Sequence, residues 1–302
     1  MGTAFVAATV LTLSPPALVA RAVAANEALY RDIDVTYRSE YRLADPQLHN
    51  GEIRTPGGER VFRPVLARDD RVRMVGQAGM YRVTAARWMD AGDGPPTTMF
   101  RGTAFDGTTT RVRDGARTEA TAGPGPVPQE AFFPHLWASA PLFARFPLSA
   151  FLAGGAAWDS HPGRDSAYRG KTVVRSVMGA GAVEAEPCVV VRCAIADAGR
   201  LTGVSYYWLA AGKNFLPVQV ESYLRYYSAT LPVQVVTAGD FRELRPGVWL
   251  PFRLKKVVFE ELELRENERM VVSNTATTTI TRAVLGPNHD RAFFRDLRAD
   301  GE

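Results

Sequence analysis

Cysteine is nearly absent, with Cys188 and Cys193 the only two in 302 residues. They stand five apart in a strand-like run, so their side chains leave on opposite faces. A disulfide between them needs a bulge or turn; two buried thiols, or one thiol at the surface, is the simpler expectation, and neither a thiolate metal site nor a redox pair is supported. Histidine is scarce as well. His49, His135, His161 and His289 are isolated from one another, none completes a His-x-x-x-His pair, and no carboxylate spacing around them makes a known metal set. Asp159, His161 and Asp165 form the best local cluster, which a polar loop explains equally well. Blocks of one charge are missing. Lys and Arg number 36 against 32 Asp and Glu, net +4, interleaved along strand-like runs, so nucleic acid is not an expected partner. No later segment reaches about eighteen consecutive apolar residues, the length that reads as a membrane span. No Gly-x-Ser-x-Gly elbow is present, and Gly154-Gly155 and Gly179-x-Gly181 lack the lysine and strand-to-helix context of a phosphate loop. These absences leave acyl transfer and nucleotide chemistry without a motif.

Valine, tyrosine, tryptophan and phenylalanine are plentiful between Val204 and Leu264. The runs Val204–Leu209, Leu216–Tyr227, Val233–Leu244 and Val248–Phe259 are separated by Gly, Asn, Asp or Pro, with no helix-length segment between them. That is an antiparallel meander. Upstream, Ile33, Val35, Tyr37 and Tyr41 alternate with polar residues as a half-buried strand. Strands are expected at 59–67, 71–77 and 79–88, with Asp69-Asp70 separating the first pair tightly and Gly79 turning or bulging the next. Thr98–Phe105 and Thr108–Arg113 follow, with Asp106-Gly107 and Asp114-Gly115 as hairpin turns. Strands resume at Lys171–Met178 and Val189–Ile195. Thr275–Leu285 is the last, and Asp290–Leu297 can form a short helix. The acidic run Glu260, Glu261, Glu263 and Glu266, opposed by Lys255, Lys256 and Arg265, reads as a solvent-facing strand pair, because nothing local separates the carboxylate pKa values as acid/base work requires.

Two stretches are not strands. From about 130 to 153, Phe132, Phe133, Leu136, Trp137, Leu142, Phe143, Phe146, Leu148, Phe151 and Leu152 are dense in apolar bulk, and Pro141 and Pro147 cut them into short helical pieces. Residues 1–25 are small and apolar, with small-x-small patterns at Ala20–Ala22 and Ala22–Ala24, and read as a signal peptide overlapping a first helix. No Lys or Arg precedes the apolar run, which keeps a cytoplasmic location open beside a periplasmic or otherwise exported one. Leu18, Ala22, Ala25 and Leu29 recur at helical spacing, so Ala17–Arg31 also reads as a helix of the domain itself. The expectation is a mainly β chain: one unclosed β-barrel, a curled antiparallel sheet of about eleven strands, with a helical plug or lid. Residues 26–302 then form a single domain with a helical insertion at about 130–153.

Tyr207-Trp-Leu209, Asn214-Phe-Leu-Pro-Val-Gln-Val-Glu221, Asp240-Phe-Arg-Glu-Leu244 and Pro246-Gly-Val-Trp-Leu-Pro-Phe252 resemble the outer-membrane lipoprotein-sorting (LolA/LolB/RseB-like) superfamily. So does a first helix leading directly into a strand. The resemblance implies an unclosed barrel whose helices lie over an apolar cavity. In carrier members that cavity takes lipoprotein acyl chains. Other members sense envelope stress through protein contacts, and a few are enzymes. The carriers' functional lid arginine has no matched position here, though Arg145 lies in the helical insertion, which is longer and richer in Pro than a carrier lid.

The reading for this chain is an exported, non-enzymatic protein holding a lipid or lipoprotein acyl chain in an apolar cavity, with no cofactor and no metal. Phe132, Trp137, Phe143, Phe146 and Phe151 would form the lid wall, and Tyr206, Trp208, Leu224 and Phe252 the sheet wall. The alternatives are an envelope sensor or structural protein that binds another protein, and an enzyme of this fold.

Overall fold

The computed structural model describes residues 16–45, 52–55, 58–61, 65–92, 94–125, 147–154 and 170–298. By compactness the chain divides into two units, Asp32–Ala131 with Val272–Glu302, and Met1–Arg31 with Phe132–Val271.

In the first of these units, β1 (Ile33–Leu43) pairs antiparallel with β15 (Val272–Leu285) and with β4 (Ala67–Gln77). From β4 the chain runs through consecutive hairpins, β5 (Met80–Asp90), β6 (Thr97–Phe105), β7 (Thr109–Asp114) and β8 (Arg117–Ala122). β2 (Glu52–Thr55) and β3 (Gly58–Val61) form a separate two-stranded hairpin. Ile33, Val35 and Tyr37 are buried as their alternation predicts.

The expected turn at Asp69-Asp70 does not occur. Both residues lie inside β4, because arginines on adjacent strands offset their charge. Asp69 meets Arg38 at 3.4 Å and Arg42 at 3.1 Å, and the buried Asp70 meets Arg87 Nε at 2.7 Å. The chain turns at Ala78-Gly79, in line with the expectation at Gly79, and both residues have positive φ (50° and 79°).

Two further buried carboxylates hold this unit together. Asp34 takes Arg73 at 2.9 Å and Arg282 at 2.8 Å. Burial pushes its carboxyl up, yet the two guanidinium groups outweigh that and hold it below the usual aspartate range. Asp106, at the β6–β7 turn, accepts from Thr108 Oγ1 and from the backbone N–H groups of Thr108 and Thr109, with Arg111 and Arg295 each at 2.9 Å. The Thr108 hydroxyl first, then the turn amides and Arg111, hold Asp106 far below the usual carboxylate range.

The terminal helix expected at Asp290–Leu297 is a single 3-10 turn, Phe293–Arg295, started by Asp290 accepting from the Phe293 N–H. Phe294 and Leu297 are buried, and Arg82 ties the segment down through the Asp296 carbonyl at 2.7 Å and the Arg298 carbonyl at 2.8 Å.

The other unit begins with α1 (Pro16–Glu27), continued by a 3-10 turn at Ala28–Tyr30, and includes the short α2 (Leu148–Ala153). Its strands are β9 (Lys171–Val183), β10 (Glu186–Asp197), β11 (Arg200–Ala210), β12 (Leu216–Leu224), β13 (Gln234–Arg245) and β14 (Val248–Phe259), each antiparallel to the next. After β14 the acidic run is not a strand pair but the helix α3 (Glu261–Glu266), anchored by one fully buried side chain, Leu264. A single apolar anchor followed three residues later by Asn267 suits one helical turn better than a two-residue alternation.

Thirteen strands make up the two antiparallel arrays, in the order β8-β7-β6-β5-β4-β1-β15 in the first unit and β14-β13-β12-β11-β10-β9 in the second. Neither order closes on itself, and the expectation of a mainly β, antiparallel, unclosed architecture with a few helices holds. Strands are more numerous than about eleven because β8 follows the Asp114-Gly115 turn and β2 pairs with β3 in a hairpin of its own. Among the described residues no helix is long and apolar enough to cross a membrane.

Candidate functional site

Alternation divides the β10–β13 region into two faces, and helices cover one of them. Val189, Val191, Cys193 and Ile195 of β10 join Tyr207 and Leu209 of β11, Val220 of β12 and Val236 of β13 in one buried cluster. Onto it α1 packs Val19, Ala20 and Val23, and α2 packs Leu148, Phe151 and Leu152, each set spaced for one helical face. The ring centroids of Phe151 and Tyr207 are 6.0 Å apart, a separation favourable for tilted aromatic pairs. The Arg175 guanidinium lies 5.3 Å from the Phe151 ring centroid, donates to the Phe151 carbonyl and also takes the Val173 carbonyl at 2.8 Å. On α1 the buried stripe falls one position from the expected one. Leu18 is 45 % exposed while Val19 is buried, because an alanine-rich helix offers two nearly equivalent apolar stripes.

Helix α2 is held by more than apolar burial. The Glu27 carboxylate, at the end of α1, accepts from the Ser149 N–H at 3.0 Å and from the Ser149 hydroxyl. It therefore caps the first turn of α2 from a different helix, satisfying donors that a helix start leaves open. Burial pushes the Glu27 carboxyl above its ordinary value, and the Ser149 bonds oppose that only in part.

The opposite face of the same strands carries an aromatic row. Tyr206 and Trp208 have ring centroids 6.0 Å apart, and Tyr206 and Tyr223 5.8 Å apart, edge to face. Glu221 lies beneath, accepting from Gln219 at 2.8 Å and from the Tyr223 hydroxyl at 2.6 Å. Trp208 continues into a smaller buried cluster of Cys188, Ala210 and Val218, with Phe241 packed against it. A bulge where β11 meets β12, between Trp208 and Leu209, lets Val218 and Val220 serve different clusters. The two cysteines are free and buried on opposite faces, as their spacing predicts. Burial raises Cys188 to about 11 and Cys193 to about 12, which leaves both as unreactive thiols near neutral pH.

The sequence-derived site residues therefore separate. Phe151 lies in the helix-covered cluster, and register places Leu224 and Phe252 on that same sheet face. Tyr206 and Trp208, expected in the sheet wall, point to the other face, because their neighbours Tyr207 and Leu209 take the covered side. Phe132, Trp137, Phe143, Arg145 and Phe146 lie outside the described residues, as do His49, His135 and the Asp159–Asp165 loop. Tyr207, Leu209, Val191, Val220 and the Glu27–Ser149 pair were not singled out in the sequence. The alternation that predicts two faces is equally consistent with either one being covered.

The family-like motifs build structure. Asn214 sits in the left-handed region at φ 58°, accepts from the Trp249 N–H at 2.8 Å, and donates to the Gly247 carbonyl at 2.8 Å and to Asn26 at 3.1 Å. The Tyr30 hydroxyl, 3.1 Å from Asn214 Oδ1, donates to the Trp249 carbonyl. The Asn-Phe-Leu-Pro and Gly-Val-Trp-Leu-Pro segments thus fasten the end of α1 to two hairpin turns. Among the described residues no group of three His, Cys, Asp or Glu side chains is placed to hold a metal ion.

No protein-family model and no curated protein matches the chain. Among solved structures, the fold is similar to a protein domain from Vibrio parahaemolyticus described as outer membrane lipoprotein-sorting, at 9 % identity and a TM-score of 0.44, covering 92 % of this chain and 95 % of that one. A DUF1329 family protein from Desulfovibrio piger matches at 11 % identity and a TM-score of 0.43, covering 93 % and 98 %. A LolA superfamily protein from Nitrosomonas europaea matches at 10 % identity and a TM-score of 0.37, covering 91 % and 96 %.

Proposed function

We propose that this chain is an exported, non-enzymatic binding protein that holds a lipid or lipoprotein acyl chain against the Tyr207 face, in the place that α2 covers. The observation that carries this reading is how little holds α2 down. Three buried side chains, Leu148, Phe151 and Leu152, anchor it. At about 1.5–3 kcal/mol each their burial contributes about 5–9 kcal/mol. Ordering six helical residues costs about 6–12 kcal/mol. The two nearly cancel, so the polar ties, Glu27 to Ser149 and Arg175 to the Phe151 carbonyl, decide whether the helix stays docked. An acyl chain offers the same sheet face a similar apolar contact, and orders its own rotors in place of the backbone of α2. Beneath α2 the face is aliphatic and aromatic (Val191, Leu209, Tyr207, Val220), with Cys193 an inert thiol among them. That composition suits hydrocarbon rather than a polar substrate.

Native mass spectrometry of protein purified gently from its host envelope, with extraction of whatever is bound, tests the reading. A stoichiometric acyl-containing ligand is the expected result. A persistently empty protein that also refuses added fatty acid would overturn it. The complete burial of Phe151 and Tyr207 would then favour a filled interior and a protein that acts through contacts with other proteins.

A further inference from the structure

The face of β10–β12 that the helices leave open carries charge as well as rings. Val191 and Cys193 point into the covered cluster, so Arg192 between them points the other way. In register Arg192 stands beside Tyr206, and Tyr206 beside Glu221, so a cation, a ring and a carboxylate make one row across three strands. Trp208 lies in the next row and Tyr223 in the row before, which puts rings on both sides of the Tyr206–Glu221 pair.

The rings are set at angles to one another rather than stacked. Tyr206 and Tyr223 meet at 86°, and Tyr206 and Trp208 at 43°. Rings so arranged form a corner, not the flat platform on which a sugar or a planar base stacks. A corner of aromatic faces with a carboxylate at its foot suits a quaternary ammonium. Glu221 favours that cation over a primary ammonium. Its Oε1 already accepts from Gln219 and its Oε2 from the Tyr223 hydroxyl, so it offers negative charge with part of its acceptor capacity filled, which suits a cation that has no N–H to satisfy. On the other side of Tyr206, the Arg192 guanidinium has no hydrogen-bond or ion-pair partner among the described residues, and a guanidinium in that position suits a phosphate or carboxylate. We propose that this face binds a small zwitterion of the phosphocholine type, with its quaternary ammonium against Tyr206, Trp208 and Tyr223 above Glu221 and its anionic group on Arg192. A free solute is the occupant, because both of its charges are met within three strands. The site lies on the sheet face opposite the one proposed for an acyl chain and does not depend on that reading.

Isothermal titration calorimetry of the full chain with phosphocholine tests the site, and the indole N–H resonance of Trp208, identified by its loss in Trp208→Phe, gives a local readout. Saturable one-to-one binding that shifts this resonance is expected. Phosphoethanolamine, which lacks the methyl groups, and choline, which lacks the anion, should each bind at least about fivefold more weakly. Arg192→Gln should weaken phosphocholine by a similar factor and leave choline unchanged, whereas Tyr206→Leu should weaken both. Both side chains are half-buried on the open face, so circular dichroism should report an unchanged fold in each variant. Phosphocholine that fails to saturate at tens of millimolar, equal affinity for phosphoethanolamine, or an Arg192→Gln variant that loses choline as much as phosphocholine overturns the proposal. So does binding to phosphatidylcholine vesicles without binding to free phosphocholine, which would assign the face to a membrane surface.

Discussion

Replacing Ser149 with alanine tests whether α2 is the marginally held element described above. The substitution removes the hydroxyl that donates to Glu27 and leaves the Ser149 N–H bond at 3.0 Å in place. Glu27 then remains half-buried with one partner fewer. A hydrogen bond to a charged group contributes about 1.5–3 kcal/mol, so the undocked fraction of α2 should rise about 10- to 150-fold. Hydrogen exchange resolved to single amides is the assay. The Phe151 N–H, bonded to the Pro147 carbonyl, and the Gly154 N–H, bonded to the Ala150 carbonyl, report α2 directly. Exchange at these amides should accelerate by that factor while the amides of β10, β11 and β12 keep their rates, because local openings need not involve the strands beneath. Equal acceleration across the strands would mean that α2 unfolds only with its whole unit. No acceleration would mean that the Ser149 hydroxyl contributes nothing. Either result refutes the reasoning.

Tyr207→Ala, in the fully buried cluster, should cost about 3–5 kcal/mol in denaturant unfolding, whereas Tyr206→Ala on the half-exposed face should cost about 1 kcal/mol. Similar costs would contradict the assignment of faces. Asn214→Gly keeps the left-handed backbone but leaves the half-buried Trp249 N–H without its acceptor, and should lower stability by about 1–3 kcal/mol in the same assay. Burial raises Glu27 above its ordinary 4.5; the docked state therefore binds more protons, and docking is tightest below that value and loosens as pH rises through the raised pKa. Glu27→Gln should abolish this pH dependence of exchange in α2. Arg298, first through its side chain and then its backbone N–H, lowers Asp296 to about 2 from an ordinary 3.8. The C-terminal segment should therefore keep its Asp296–Arg298 contacts above pH 4 and lose them as pH falls toward 2, which the ring resonances of Phe293 and His289 will report.

Hairpins were legible in the sequence because turn chemistry is local. Asp106-Gly107, Asp114-Gly115 and the Val/Tyr/Trp alternation of β11 and β12 need no partner to be recognised. Asp69 and Asp70 misled because a pair of carboxylates looks like a turn until Arg38, Arg42 and Arg87 arrive from other strands. The acidic run at 260–266 misled because Leu264 alone anchors it, and one apolar residue carries no period. The candidate site was half legible. Both faces of β11 carry aromatics, so alternation separates Tyr206 and Trp208 from Tyr207 and Leu209 without saying which pair the helices cover. That choice is made by long-range packing of Val19, Val23 and Phe151. The Glu27–Ser149 contact joins residues 122 apart in the chain and leaves no local signature.

The central claim is that an acyl chain binds on the Tyr207 face in place of α2, and photo-labelling tests it most directly. A fatty acid bearing a diazirine near its methyl end, equilibrated with the intact protein and irradiated, should attach to peptides carrying Val191, Tyr207, Leu209 or Val220. Labelling there should increase in Ser149→Ala. Attachment confined to the Tyr206 and Trp208 side chains, or labelling that excess unlabelled fatty acid fails to displace, would contradict the account.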